Sequence, residues 1–454
     1  MNKDFMLTSA LSCELYREVR DLPIVDYHCH LDAMQILNDE PYENITQMWL
    51  YGDHYKWRLM RTAGVAEKYI TGDAGDFEKF EKYIQALSYA IGSPLYHWSK
   101  MELSKYFGVE EEILPQNAEL IYKKANEAIK TKCLSPKRII AMSNVEAICT
   151  IEEIFCDLAA HKALAASRFE TKVLPAIRGD KAINIEDENF GAYIQKLSEV
   201  TRIRITNLTD LLFALDKQLD AFLNAGCVSA DYAFEGLNYE KASSAEVNKI
   251  FCDALCGRVH DKDKYITYVL THMIRGSYKR GFAVQLHAGA KRNNNAAMYK
   301  LLGADTGYDS VSDRSYMDGL VKILNDCKNI GKTIIFNLNP ADNAMVATTV
   351  GCFVDGECAG KVQMGAAWWF NDTFDGMTEM LKATCNLSYL KSFVGMLTDS
   401  RSIISYPRHD YFRRILCSFV ADFVNRGEFT PNTDILKEIV SSVSYYNAKN
   451  YFNI

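Results

Sequence analysis

Short apolar, β-prone runs alternate with longer stretches of helical spacing along most of the chain. The first run is Ile24-Val25-Asp26-Tyr27-His28-Cys29-His30. It follows a helical lead-in over residues 1–20 that carries Leu11, Leu15 and Val19 on one stripe. The later runs are Val145–Thr150, Lys172–Ala176, Cys227–Ala230, Ala283–His287, Thr333–Asn337, Val362–Gly365 and Val394–Asp399. Eight strands alternating with helices predict a parallel sheet closed into a (β/α)8 TIM barrel. An open doubly wound sheet is the alternative, but no glycine-rich dinucleotide fingerprint follows any strand. The stretch between the first two runs is far too long for a loop. Its helical patterns, such as Phe77–Ile84 and Ala118–Tyr122, predict a helical insertion at about 35–135. The expectation is one barrel domain over 1–454.

Chemistry in such a barrel collects at the C-terminal ends of the strands. A strand sends alternate side chains to one face, so His28 and His30 project together. Closure makes the last strand the neighbour of the first, and Asp399 then faces both histidines. Two imidazoles and a carboxylate with open positions suit Zn²⁺, Mn²⁺ or Fe²⁺ in a catalytic role. Thr150, Asp231, His287, Asn337 and Asn339 close other strands. Plainer readings stand beside these. Asp399 can be a helix N-cap, His287 an interior hydrogen-bonded histidine, and Arg401 half of a surface ion pair. Tyr51–Arg58 can be a packed polar-aromatic helix. Trp368 and Trp369 can be core, although they closely follow strand seven and can also wall a sugar pocket.

Composition narrows the classes. The chain is 48% hydrophobic and 24% charged with a net charge of −7, which gives no footprint for nucleic acid or an anionic membrane. No apolar run is long enough to span a bilayer, and the start lacks a signal peptide's apolar core. Thirteen scattered cysteines without a C-x-x-C fit reduced thiols in the cytoplasm.

The residues resemble those of the uronate (glucuronate) isomerases of the amidohydrolase superfamily. The resemblance runs through Asp26–His30, Gly52–Arg58, Gln285–His287, Gly289-Ala290, Arg292–Asn295 and Asp305–Asp309. It continues through Leu338–Pro340, Trp368–Asp372, Gly395–Ser402 and Tyr411–Arg414. It implies a distorted barrel with a helical insertion, one divalent metal (zinc first, manganese or iron as alternatives) and a homo-oligomer. The implied activity interconverts D-glucuronate with D-fructuronate and D-galacturonate with D-tagaturonate. His28, His30 and Asp399 match metal positions; His54, Tyr55, Arg178, His287 and Arg401 match active-site positions. The chain departs from the usual pattern at Ala230-Asp231-Tyr232, where Ser-Asp-His is usual. Thr150-Ile151-Glu152-Glu153 replaces Thr-Asp-Asp-Pro, and Ala341 replaces an arginine.

The expected chemistry moves a proton from C2 to C1 through an enediol. Asp399 manages the C2 proton, Tyr55 shuttles protons between O1 and O2, and Arg401 steadies the developing oxyanion. Arg58 or Arg178 pairs with the substrate carboxylate, while His54 and His287 orient hydroxyls. Two other readings remain open: a metal-dependent hydrolase or deaminase, and a degenerate barrel that binds sugar acids without turnover.

Overall fold

The run that opens the barrel is buried throughout, from Ile24 to Cys29 (β1). Six more parallel strands follow: β2 (Val145–Glu153), β3 (Lys172–Arg178), β4 (Ser229–Phe234), β5 (Ala283–Ala288), β6 (Thr333–Asn337) and β7 (Val362–Met364). They pair in the order of the chain, β1 to β7. Their near-continuous apolar runs reflect burial on both faces, inward against the barrel filling and outward against helices. This computed structural model describes residues 4–454. Among them, no helix is long and apolar enough to cross a membrane.

The eighth predicted strand forms no ladder. Gly395 (φ +86°) and Asp399 (φ +47°) turn Val394–Asp399 out of β geometry. A Cβ on Gly395 would stand 2.1 Å from the Val443 carbonyl oxygen, so only glycine fits. Side chains join this segment to both neighbours instead. Val394 N–H donates to Gln363 Oε1 on β7 (2.8 Å). Thr398 donates its N–H and hydroxyl to Asp26 on β1 (2.8 and 2.6 Å). The fold is thus a distorted (β/α)8 barrel, with seven laddered strands and one irregular closing segment.

Other boundaries differ from the apolar runs. β2, β3 and β4 extend to Glu153, Arg178 and Phe234, because polar residues complete each strand at the barrel mouth. A short antiparallel hairpin joins Ala290–Lys291 to Ser310–Val311, two residues each and too short to leave a period in the sequence. Between β1 and β2 the chain runs through successive helices. One of them, His54–Thr62, is capped by Asp53, whose Oδ1 accepts from the N–H groups of Tyr55 and Lys56. Asp53 Oδ2 also pairs with the buried Lys56 ammonium at 2.7 Å. That cap sets His54 and Tyr55 at the helix's first turn, against the barrel mouth.

Gly365, just past β7, lies flat against Phe336; a Cβ there would reach 2.3 Å from the ring. Phe336 in turn stacks on His287 with centroids 4.4 Å apart. Gly365→Ala should therefore cost about 1–3 kcal/mol of stability in chemical denaturation, as overpacking of a filled interior does.

Candidate active site

His28 owes its orientation to β5. Gln285 donates its amide to the Tyr27 carbonyl (3.4 Å), which leaves Gln285 Oε1 to accept from His28 Nδ1 at 3.1 Å. The Nε2 lone pair of His28 is then free to face Asp399. Asp399 Oδ1 lies 3.4 Å from His28 Nε2 and 3.1 Å from His30 Nε2. Asp399 Oδ2 accepts from Trp368 Nε1 at 3.1 Å. The donor atoms of His28, His30 and Asp399 all lie within 4.8 Å of one another. Two imidazole nitrogens and a carboxylate oxygen at that spacing, with the first imidazole fixed from behind, fit a divalent cation. His28, Asp231 and His287 satisfy the same spacing. His287 Nε2 is buried with no hydrogen-bond partner among the described residues, so it adds one more nitrogen beside this centre.

A charged wall follows along β3 to β5. His287 Nδ1 contacts Asp231 Oδ1 at 2.6 Å, and Arg178 donates through Nε (2.7 Å) and Nη2 to Asp231 Oδ2. Asp180 stands just past β3, with Oδ1 accepting from Ala233 N–H (2.8 Å) and Oδ2 3.6 Å from Arg178 Nε. On the opposite rim, Arg401 pairs with Asp305 at 2.9 Å. Arg292 lies 3.5 Å from Asp305 and stacks its guanidinium on Trp369. Apart from Asp231, which is fully buried, these groups line one cleft of about 310 Å³.

The charges set protonation. Burial resists ionisation of Asp399, but His28 and His30 outweigh it and hold the carboxyl well below its usual range. Burial likewise opposes the charge on Asp231, and Arg178 and His287 overcome it. Burial pushes Tyr55 well above the ordinary phenol value, with Asp399 adding to the effect, so the phenol keeps its proton at neutral pH. Burial, then Arg401, lowers His54, which stays neutral. Burial pushes Asp180 up to about 7 although Arg178 opposes it.

The cleft brings together His28, His30, His54, Tyr55, Arg178, His287, Trp368, Trp369, Asp399 and Arg401. Arg58 is not among its lining residues. Its guanidinium lies over Phe370, and its Nη1 donates to the Asp309 carbonyl at 2.6 Å, so it braces the loop that ends in Asp309. Asp180, Lys181, Glu153, Arg292, Asp305 and Arg408 line the cleft without having been assigned a part from the sequence. Asp180 and Lys181 follow Arg178 after Gly179, and only the true length of β3 brings them to the mouth. Arg292 and Asp305 lie on the loop that joins the two short antiparallel strands, which have no sequence signal.

The departures fall in different places. Tyr232 points away from the cleft, fully buried, and shares a hydrogen bond with Ser277 at 2.8 Å. Ala341 sits on the exposed turn Pro340–Asp342. Glu153 does line the cleft and pairs with Lys181 at 2.5 Å.

A parallel barrel with an imidazole–carboxylate centre at its mouth is the architecture of an amidohydrolase-superfamily enzyme. A family model described as glucuronate isomerase matches residues 1–452, and the chain belongs to that family. It is 43% identical to a uronate isomerase of Caldanaerobacter subterraneus, over 100% of this chain and 99% of that protein. It is 44% identical to a uronate isomerase of Clostridium acetobutylicum with the same coverage. Its fold matches the crystal structure of a uronate isomerase from Thermotoga maritima at a TM-score of 0.95 and 29% identity. That match covers 100% of this chain and 99% of that one. A glucuronate isomerase structure from Caulobacter crescentus shares the fold at a TM-score of 0.92 and 24% identity, covering 100% and 97%.

Two predictions arise from the site. Cys29 is wholly buried in the apolar core, on the opposite side of β1 from the histidines. Cys29→Ala should therefore keep the wild-type metal content by elemental analysis. Burial pushes the Asp372 carboxyl up to about 7, well above the usual carboxylate range, with Arg408 only partly opposing. A raised acid binds protons in the folded state that the unfolded chain has released, so stability falls as pH rises from about 4 to 7. Asp372→Asn removes that slope. Its stability relative to the parent should rise across this window and level off above it, by at most about 3 kcal/mol between urea titrations at pH 5 and pH 8.

Proposed function

We propose that the protein is a uronate isomerase that interconverts D-glucuronate with D-fructuronate and D-galacturonate with D-tagaturonate. The observation that carries the reading is the meeting of His28, His30 and Asp399 at the mouth of a barrel that belongs to this family throughout. His28, His30 and Asp399 would hold a divalent cation, zinc being the natural fit for two imidazoles and one carboxylate, and when bound it would supply Lewis acidity to the oxygens of the sugar acid.

The chain's own groups account for the proton movements. Asp399 stays ionised, and its Oδ2, oriented by Trp368 Nε1, takes the proton from C2 of the open-chain aldose and returns it to C1. The Tyr55 hydroxyl keeps its proton until the carbonyl demands it. It donates that proton to O1 and accepts the one leaving O2, so the enediol collapses to the ketose with all protons accounted for. Arg401 faces the charge that develops on these oxygens. Arg178 lies within reach of the substrate carboxylate, and neutral His54 and His287 hold hydroxyls. Trp368 and Trp369 wall the sugar and keep water away. A hydrolytic reading finds no lysine on β4, Ser229–Phe234, to bridge a metal pair.

Purified, metal-loaded protein incubated with each uronate should yield the matching ketose and, in D₂O, exchange the C2 hydrogen by NMR. Release of acid or ammonia from esters or amides, with no ketose formed, would point to the hydrolase instead. Asp399→Asn should lower turnover by at least about a thousandfold while leaving circular dichroism unchanged. Near-normal turnover would remove Asp399 from the proton path.

A further inference from the structure

The geometry points to Asp26 as the positioning residue of the metal centre: its carboxylate fixes Thr398, and through it the ligand Asp399. This inference rests on the reading that His28, His30 and Asp399 hold a divalent cation. Asp26 is fully buried and shares the face of β1 that carries His28. Both of its oxygens are spent on one residue. Oδ1 accepts from Thr398 N–H at 2.8 Å, and Oδ2 accepts from the Thr398 hydroxyl at 2.6 Å. The imidazole of His409 also faces it, with Nε2 3.8 Å from Oδ1 and its charged form disfavoured by burial.

The need for this clip comes from the backbone. Asp399 has a φ of +47°, a conformation that a non-glycine residue keeps only when its surroundings over-determine it. The closing segment has no ladder to impose it. Four hydrogen bonds do so instead. Two are the Asp26 bonds to Thr398. Arg408 Nη1 donates to the Thr398 carbonyl at 3.0 Å, and Asp399 N–H donates to the His28 carbonyl at 3.1 Å. Next along, His30 N–H donates to the Ser400 carbonyl at 3.0 Å. Within this set, Asp26 is the one side chain on the strand that bears both histidines. A single strand therefore delivers two ligands and sets the place of the third.

A group that acts only as a barrel fastener would affect the folding of metal-free protein and leave the affinity of folded protein for metal unchanged. Positioning changes that affinity. The test uses full-length wild type, Asp26→Asn, Asp26→Ala, Thr398→Val and Asp399→Asn, each stripped of metal and checked for folding by circular dichroism. Zinc affinity is then read by competition with a chromogenic chelator. Asp26→Ala should bind zinc about a hundredfold more weakly, and Asp26→Asn, which keeps one acceptor, about tenfold. Ketose formation by Asp26→Asn should recover at saturating zinc. Thr398→Val retains the backbone donor and should weaken zinc several-fold, which keeps the test decisive where Asp26→Ala fails to fold. Wild-type zinc affinity in folded Asp26→Asn and Thr398→Val overturns the inference alone. No zinc bound by wild type, or equal binding by Asp399→Asn, overturns the metal centre and the inference with it.

Discussion

One carboxylate joins the two ends of the barrel. Asp399 Oδ1 faces His28 and His30 from the first strand, and Oδ2 takes the indole N–H of Trp368 from beyond the seventh. Isolated in a buried site, that carboxylate would be strongly disfavoured. Here it is tolerated because two imidazoles converge on one oxygen and an N–H donor satisfies the other. The remaining polar groups of the cleft are arranged around this point. Tyr55 keeps its proton partly because the Asp399 charge lies near, and His54 stays neutral between burial and Arg401.

The same rule governs the wall beside it. Arg178, Asp231 and His287 form a chain of contacts in which each buried charge has a partner. Removing one member of such a set strands the rest, at a typical cost of about 3–5 kcal/mol, although a well-packed apolar replacement of the whole can be neutral. The set therefore serves orientation more than stability. It holds a guanidinium on β3 and an imidazole on β5, on either side of β4, aimed at the same space. Asp231 belongs to this wall because β4 runs on past Ala230 and alternation turns its carboxylate inward.

Much of this was legible in the sequence, for a physical reason. Parallel barrel strands are buried on both faces, so they stand out as apolar runs, and the H-x-H at the end of the first run announces a shared face. The eighth run, Val394–Asp399, reads equally well as a strand, yet Gly395 and the contact with Val443 break its geometry. That contact is made by residues remote in the sequence, and no local pattern encodes it. The hairpin of Ala290–Lys291 and Ser310–Val311 is invisible for a different reason. Two residues per strand carry no period, so Arg292 and Asp305 could be seen as part of a family pattern but not placed on the rim. Arg58 illustrates the reverse error: a cation close in sequence to His54 and Tyr55 lies one helical turn farther on, where it meets Phe370 and the Asp309 carbonyl.

The departures from the family pattern can be sorted by the same geometry. On β4, alternation sends Asp231 inward and Tyr232 outward, so the change to tyrosine is absorbed by the helix layer, where its hydroxyl meets Ser277. Gly179 takes part in that accommodation, since a Cβ there would stand 3.0 Å from the Tyr232 ring and 2.0 Å from Met273. A bulky outward residue on one strand and a bare backbone on the next fill the space that a smaller pair would leave empty. Glu153 differs in kind. It ends β2 at the mouth, facing Lys181 beyond β3, and so places on the rim a carboxylate paired with that ammonium, at the position where the usual pattern has proline. Of the three departures, the one on β2 alters the electrostatics that a sugar acid meets on entering the cleft.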